Sequence, residues 1–336
     1  MTQLVSRVDL QEALSLAVAA RSPGYTDLVS NSNGILFLIK EKGGWKSYSG
    51  PEIRERLLWQ ESGTYTRYSG LQYLNPIRKE MFSDAVYDPK QSAVSIVLAG
   101  DDLLDNSGEA AILDIMTEKL SAGEQELTDR FVEDLHSDGT ETNQVGGLQQ
   151  ALPTTVNSGV YGGIDRSAYT IWQTSTYDID TDFTGISQFT SSTAQEIIRT
   201  IVIQRSRNKR GPGCVAACEQ HFSAYSASLE AIQRIQNENG LGKLGFTNLE
   251  FAGAGKTVPI MLEGGIGTAM PDDVSYFLDF DGIRFRYHPD REFTEFGGMQ
   301  TPVNQDAVVQ HIGMYGNLTM FNPLHQAKLY DSDTAS

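Results

Sequence analysis

The chain has 336 residues and a formal net charge of −17, from 43 acidic and 26 basic side chains. That length suggests about two domains of roughly 150 residues each, and the strong acidity disfavours tight binding of nucleic-acid phosphates. The two cysteines are too few for a disulfide framework. The first residues lack the apolar run of a signal peptide, and no stretch approaches the ~20 apolar residues of a membrane helix. We therefore expect a soluble, cytosolic protein.

Residues 6–21 are predicted to form a short amphipathic helix, because Leu10, Leu14, Ala17 and Val18 recur at helical intervals. The neighbouring sequence offers this helix little to pack on. We interpret it as an arm; the alternative is a frayed terminus.

Residues 40–80 are rich in Gly, Ser and Tyr, and residues 63–70 show the alternating side-chain pattern that is typical of a strand. This pattern predicts a long, polar β-hairpin or an extended loop. The segment carries eight basic and five acidic residues, a net charge of +3. A loop of this length without its own core is usually functional or disordered.

A strand at residues 93–99 precedes the longest predicted helix, at residues 107–135. Its apolar positions lie on one face of a helix of about 40 Å. They are Ile112, Met116, Leu120, Leu127, Phe131 and Leu135. Residues 101–150 hold thirteen acidic side chains against two basic ones, a net charge of −11. The ordinary interpretation is a solvated helix face, and the alternative is a docking surface for a basic partner.

The second half of the chain mixes helices and strands. Helices are predicted at 193–206 and 219–236, and further strands at 307–330. Strands at 274–278 and 283–287 flank Asp281 and Gly282, a dipeptide that favours a hairpin. Because strands and helices do not alternate as βαβ units, the predicted fold class is α+β.

Two sequence motifs resemble phosphate and calcium sites but lack essential residues. Residues 253–257 (GAGKT) resemble the end of a P-loop, yet Glu250 stands where the first glycine is needed. The acidic run at 178–182 opens like a calcium loop, but Phe183 and Phe189 replace its glycine and its glutamate. We expect a surface turn at the first motif and an acidic loop at the second.

Cys214, Cys218 and His221 are close in sequence, which raises zinc binding or a Cys/His hydrolase as alternatives. Zinc requires four ligands and no second pair has suitable spacing, so we expect buried, inert thiols. A basic cluster follows the helix at 193–206. Its members are Arg199, Arg205, Arg207, Lys209 and Arg210. It suits a helix C-terminus followed by a turn, and nucleic-acid binding or an intersubunit contact are the alternatives. No catalytic, cofactor-binding or metal-binding residue is predicted.

Four groups of short motifs lie in a fixed order over residues 60–330, and their order and spacing together match the pattern of one protein family. They are TYTRYSG at 64–70 with Asn75 and Pro76; AVYDPKQSAVSI at 85–96 with NSG at 106–108; SDG at 137–139 with GGL at 146–148, YGGIDRS at 161–167 and Trp172; and NQD at 304–306 with GNLT at 316–319 and Asn322. Together they resemble the major capsid proteins of tailed bacteriophages that share the Hong Kong 97-type fold.

The resemblance implies an α+β capsid fold with five parts. They are an N-terminal arm (1–33), an extended β-hairpin loop with its flanks (34–80), a peripheral domain (81–190) with a long spine helix (107–135), an axial domain (191–305), and C-terminal strands that return to the peripheral domain (306–336). The arm and the loop, the latter at about 40–75, are expected to reach neighbouring subunits.

The division of charge then predicts an intersubunit contact, in which the basic loop of one copy lies on the acidic spine region of its neighbour. Opposite potentials across an interface fix its register more than they add affinity. The candidate residues are Lys46, Arg54, Arg56, Arg67 and Tyr68 on the loop, with Glu118, Glu126, Glu133 and Asp134 on the helix.

The implied function is structural. The chain is expected to assemble as pentamers and hexamers into an icosahedral shell around double-stranded DNA, without sequence-specific DNA binding and without a membrane. Assembly would take place in the cytoplasm of a host bacterium, and the product would be part of the virion. The expected partners are a separate scaffolding protein and a portal, with a decoration protein as a further candidate. The alternative is the shell of an encapsulin-type nanocompartment.

Overall fold

The computed structural model describes residues 33–59, 63–74, 80–99, 109–208, 210–230, 249–253, 255–264, 269–300 and 306–332. The helices are α1 (Gly34–Glu41), α2 (Glu109–Leu135), α3 (Leu148–Ala151), α4 (Ile179–Asp182), α5 (Ala194–Arg205) and α6 (Glu219–Glu230). The strands are β1 (Trp45–Ser47), β2 (Ile53–Leu58), β3 (Phe82–Tyr87), β4 (Lys90–Ala99), β5 (Val160–Tyr161), β6 (Ile164–Asp165), β7 (Ser175–Asp178), β8 (Cys214–Ala217), β9 (Leu249–Gly253), β10 (Lys256–Leu262), β11 (Val274–Leu278), β12 (Ile283–Tyr287), β13 (Thr294–Gln300), β14 (Ala307–Met320) and β15 (Ala327–Tyr330). The predicted arm helix at 6–21 lies outside the described residues.

Helix α2 is the longest helix of the described chain, with 27 residues. The apolar stripe seen in the sequence is buried in the core along its second half, at Leu120, Leu127, Phe131 and Leu135. The helix packs on strand β4, where a Cβ on Gly123 would lie 3.0 Å from Ile96 Cγ1. The predicted long helix is confirmed, and the glycine allows its close approach to the sheet.

Strand β14 forms the centre of a five-stranded sheet. Residues 307–316 of β14 pair antiparallel with β4 on one side. On the other side β12 and β13 follow one another along it, also antiparallel, and β1 adds to β12 in parallel. The strands predicted at 93–99 and 307–330 are confirmed. Strands β12 and β13 come from residues expected in the axial domain, yet they share this sheet with β4.

The segment around Trp45 belongs to the core, although the sequence placed it in the extended loop. Trp45 stacks on Phe285 with 4.6 Å between ring centroids, and it lies edge-on to Phe131 at 6.5 Å. The indole Nε1 donates a hydrogen bond of 2.7 Å to Glu292. Residues 45–47, which the sequence analysis assigned to the loop and its flanks, thus form strand β1 and carry a core aromatic side chain in a glycine-rich, polar neighbourhood.

A second sheet has six strands in the order β7, β15, β11, β8, β10, β9. Strand β8 is buried on both faces, so it is apolar throughout. Cys214 and Ala216 face the core that contains α2, whereas Val215 and Ala217 face helices α5 and α6. The helix predicted at 193–206 is confirmed. The helix predicted at 219–236 is confirmed as far as Glu230, and its remainder lies outside the described residues.

The predicted hairpin at Asp281 and Gly282 was wrong. Strand β11 pairs with β8 and β15 in the six-stranded sheet, whereas β12 pairs with β1 and β14 in the five-stranded sheet. A 3-10 turn at Phe280–Gly282 joins them. The Asp-Gly signal marked a real turn, but it leads the chain from one sheet to the other.

Candidate intersubunit surface

Strands β2 and β3 form a two-stranded antiparallel ribbon, with Ile53 opposite Tyr87 and Leu58 opposite Phe82. Burial alternates along β2, as expected when one face packs on the body and the other faces solvent. Ile53, Glu55 and Leu57 are buried, whereas Arg54, Arg56 and Leu58 are exposed. The sequence analysis expected a hairpin or an extended loop within residues 40–80. The observed pairing joins residues 53–58 to residues 82–87, which lie beyond that segment, and the alternating residues 63–70 contain no strand.

Glu55 anchors the ribbon to the five-stranded sheet. Its side chain is 2% exposed. It accepts a 2.9 Å hydrogen bond from Arg284 Nη1 and another from Arg286 Nε. Sequence analysis missed this residue. The signal was available: in an alternating strand, a carboxylate that shares the apolar face of Ile53 and Leu57 must find buried cationic partners.

The predicted loop cations lie at the surface, with different local partners. Arg54 pairs with Glu52 at 3.1 Å, and its side chain is 65% exposed. The guanidinium of Arg56 lies 5.3 Å from the centre of the Phe82 ring. Lys46 is exposed in β1, and Arg67 is exposed beyond the ribbon. These four side chains are accessible to a partner subunit, although Arg54 already forms an ion pair with the exposed carboxylate of Glu52.

Beyond the ribbon, residues 63–74 form the loop tip, which exposes an unusual number of large apolar side chains. Tyr65 is 85% exposed, Leu71 104% and Tyr73 101%, and the predicted contact residue Tyr68 is 63% exposed. Arg67 is the only charged residue in this segment. An exposed apolar segment of this size marks an interaction surface. Apart from Tyr68, the sequence reasoning emphasised charge and overlooked it.

The predicted acidic residues on α2 differ in exposure. Glu118 and Glu126 are exposed, and Glu133 accepts a 2.7 Å hydrogen bond from Arg130. Asp134 is partly buried, and that burial raises the pKa of its carboxyl. Within the described part of the chain, these acids form no ion pair with the loop cations. Glu118 and Glu126 are therefore the two exposed members of this set, whereas Glu133 and Asp134 are partly buried.

The two cysteines are free and buried, and burial raises the pKa of both thiols. Burial also lowers the pKa of His221 to about 4, and its Nδ1 lies 2.7 Å from Ser275 Oγ. A nucleophilic cysteine needs a lowered thiol pKa, so this environment opposes the hydrolase alternative. Across the described ranges, no group of three His, Cys, Asp or Glu side chains is arranged to hold a metal ion.

The residues of the remaining sequence motifs make ordinary structural contacts. In the GAGKT segment, Gly253 ends β9 and pairs with Lys256, the first residue of β10, and Ala254 lies outside the described residues. Asp182 accepts a hydrogen bond from the backbone N–H of Asp178 within the short helix α4. Arg205 donates to Ser175 and lies 5.6 Å from the Tyr177 ring, while Lys209 lies outside the described residues. No helix of the described chain is long and apolar enough to cross a membrane.

Neither protein-family models nor curated protein sequences match the chain, whereas solved structures do. The capsid of cyanophage A-1(L) is similar with a TM-score of 0.61 at 14% identity, over 86% of this chain and 90% of that chain. The procapsid of satellite phage P4 gives 0.53 at 10% identity, over 92% and 90%. The capsid of a native GTA particle gives 0.52 at 10% identity, over 87% and 90%.

These similarities extend over most of each chain and therefore concern the whole architecture. The chain has the Hong Kong 97-type fold of viral capsid subunits.

Proposed function

We propose that the chain is the major capsid protein of a tailed bacteriophage, which assembles as pentamers and hexamers into the icosahedral shell around the double-stranded DNA genome. The role is structural and assigns no catalytic residue. In this proposal α2 and the five-stranded sheet build the peripheral part of the subunit. The six-stranded sheet with α5 and α6 builds the axial part.

The observation that carries the proposal is the ribbon with its loop tip. The ribbon is fixed to the body through Glu55, and beyond it Tyr65, Leu71 and Tyr73 are exposed. A closed shell requires each subunit to offer surfaces to its neighbours. A separate scaffolding protein, a portal and a decoration protein remain the proposed partners.

The negative charge of the chain is compatible with a container for DNA. A wall that bound phosphates tightly would hinder genome release, whereas the net charge of −17 repels DNA at long range. The DNA would be enclosed without contacts to particular bases.

Electron microscopy and sedimentation of the purified chain, with and without candidate scaffold, test this function. We expect closed particles of uniform diameter. Chains that remain monomeric under all assembly conditions would contradict the proposal. Particles recovered from cells with a packaged enzyme, and without portal or packaged DNA, would assign the shell to a nanocompartment.

A further inference from the structure

The basic cluster that follows helix α5 stands out in an acidic chain. Residues 197–218 carry five basic side chains and no acidic one, although the whole chain has 43 acidic residues. Arg205 is used inside the subunit, where it donates to Ser175. His325 Nδ1 lies 2.8 Å from the carbonyl oxygen of Arg205. Arg205 and His325 therefore serve the end of the helix, which leaves the cations beyond it without a task there.

Arg207 and Arg210 face each other across a tight turn. The N–H of Arg207 donates to the Arg210 carbonyl at 2.8 Å, and the N–H of Arg210 donates to the Arg207 carbonyl at 3.1 Å. The two residues are thus a directly opposed antiparallel pair. The Cβ atoms of such a pair are about 5 Å apart, and like charges in this position destabilise the pairing. The subunit therefore holds two guanidinium groups together at a cost.

The side chains of this turn face solvent. Arg207, Asn208 and Arg210 are exposed. Within the residues that the structure describes, neither arginine side chain forms an ion pair, a hydrogen bond or a ring contact. The turn itself is held at both ends, by α5 on one side and by the 2.8 Å hydrogen bond from Gly213 N–H to the Leu278 carbonyl on the other. A backbone fixed in this way loses little conformational freedom when a ligand binds.

The composition of the turn fits a phosphate ligand. Residues 206–210 read Ser-Arg-Asn-Lys-Arg, and all four of these residue types donate hydrogen bonds to nucleic-acid phosphates. The turn has none of the aromatic side chains that anchor protein interfaces. A guanidinium binds a phosphate through two parallel hydrogen bonds. Because double-stranded DNA carries one charge per about 1.7 Å of its axis, neighbouring phosphates can neutralise both arginines at once.

We propose that residues 206–210 form a contact for the phosphates of double-stranded DNA, in which Arg207 and Arg210 bind neighbouring phosphates without reading the base sequence. The contact is local and weak, since the net charge of −17 repels DNA from the rest of the chain. The place of this contact in a filled shell rests on the proposed function, whereas the binding itself can be measured on the unassembled subunit.

Fluorescence anisotropy of a labelled double-stranded DNA of mixed sequence measures the binding. The turn variant is Arg207→Gln with Arg210→Gln. The control is Arg54→Gln with Arg56→Gln, which removes the same charge from another exposed surface. At low salt the turn variant should bind roughly tenfold more weakly, and the slope of log affinity against log salt should fall by about 2. Equal losses in the control, or no binding by the wild-type subunit, would overturn the proposal.

Two further measurements exclude other roles for the arginines. Polyglutamate should displace the DNA only at a much higher concentration of charge, and displacement at equal charge would assign the turn to an acidic protein instead. Thermal melting of the turn variant should not fall below that of the wild type, because the change removes a pair of like charges. A clear fall would give the two arginines a structural role.

Particles test the contact in the shell. Phenylglyoxal modifies accessible arginines, and mass spectrometry locates the products. Arg207 and Arg210 should be protected in DNA-filled particles compared with empty ones, whereas Arg54 and Arg56 should react alike in both. Equal reaction of Arg207 and Arg210 in the two kinds of particle would reject the contact with enclosed DNA. A chain that binds DNA through the turn but never forms particles would instead reject the shell function.

Discussion

The carboxylate of Glu55 in β2 accepts a hydrogen bond from Arg284 in β12, with 2.9 Å between Oε2 and Nη1. These residues are far apart in sequence, and their contact fixes the base of an exposed ribbon to a sheet in the core. Arg284 also lies 4.2 Å from the centre of the Phe321 ring. The position of the ribbon therefore depends on a buried ion pair as well as on strand pairing.

Glu55→Ala should destabilise the unassembled subunit by about 3 kcal/mol, because it leaves two arginines without their buried carboxylate. Urea unfolding of the subunit measures this cost. Glu52→Ala is the matched control, since Glu52 pairs with Arg54 at the surface and such pairs contribute less than about 1 kcal/mol. Equal losses in the two variants would show that Glu55 does not anchor the ribbon.

Asn33 combines two roles that substitutions can separate. Its Oδ1 accepts from the backbone N–H groups of Ile35 and Leu36 and caps α1. Its Nδ2 donates to the buried Glu263 at 2.6 Å. Asn33→Asp keeps a good cap but places two buried carboxylates in contact. It should therefore be less stable at neutral pH than Asn33→Ser, by about 2 kcal/mol.

Glu263→Gln in the Asn33→Asp background should recover most of that loss, because the amide can donate to the new carboxylate. Urea unfolding of the three variants at pH 7 gives the order. If Asn33→Asp proves as stable as Asn33→Ser, the contact between residues 33 and 263 contributes little.

The buried imidazole of His221 should make stability fall in weak acid. Its pKa is lowered from 6.5 to about 4 by burial, so the unfolded chain binds the proton first as the pH falls. The stabilisation is complete above pH 6.5 and is lost as the pH falls towards 4. Between pH 7 and 5 the subunit should lose about 2 kcal/mol from this group.

His221→Gln should remove that part of the pH dependence of unfolding. Ser275→Ala is the control: it removes the 2.7 Å hydrogen-bond partner of Nδ1 but keeps the buried imidazole. We expect this control to lower stability at every pH and to keep the wild-type slope. A wild-type slope in His221→Gln would locate the pH dependence in other groups.

Arg54→Glu with Arg56→Glu should reduce shell assembly at low salt if the outer face of the ribbon lies on the acidic helix of a neighbour. Adding Glu118→Lys and Glu126→Lys should restore it, because the potentials are again opposite. Light scattering at low and high salt measures the effect, which screening should weaken. Unchanged assembly of the first variant at low salt would reject this pairing.

Sequence patterns correctly predicted the helices and strands whose apolar side chains form a recognisable stripe or run. The stripe of Leu120, Leu127, Phe131 and Leu135 predicted α2, and the apolar run at 93–99 predicted much of β4. The Asp281-Gly282 turn misled because distant strands, β8 and β14, decide which sheet each flanking strand joins. Trp45 was missed for the same reason, since its aromatic partners Phe131 and Phe285 come from later parts of the chain.

The candidate surface was predicted only in part. Counting charges found the loop cations and the acidic helix, because charge is visible in sequence without coordinates. The loop tip was not found as an apolar surface. Tyr65, Leu71 and Tyr73 look like ordinary core residues until their exposure is known, because no periodic pattern distinguishes a buried tyrosine from an exposed one.

Both sheets are completed by strands that come late in the described sequence. Strand β14 lies between β4 and the pair β12 and β13, and β15 lies between β7 and β11. During synthesis, at roughly 5–20 residues per second, neither sheet can be completed until these two strands have left the ribosome. A polypeptide terminated before β14 therefore lacks the shared partner of β4, β12 and β13, and it cannot reach the folded state of the subunit.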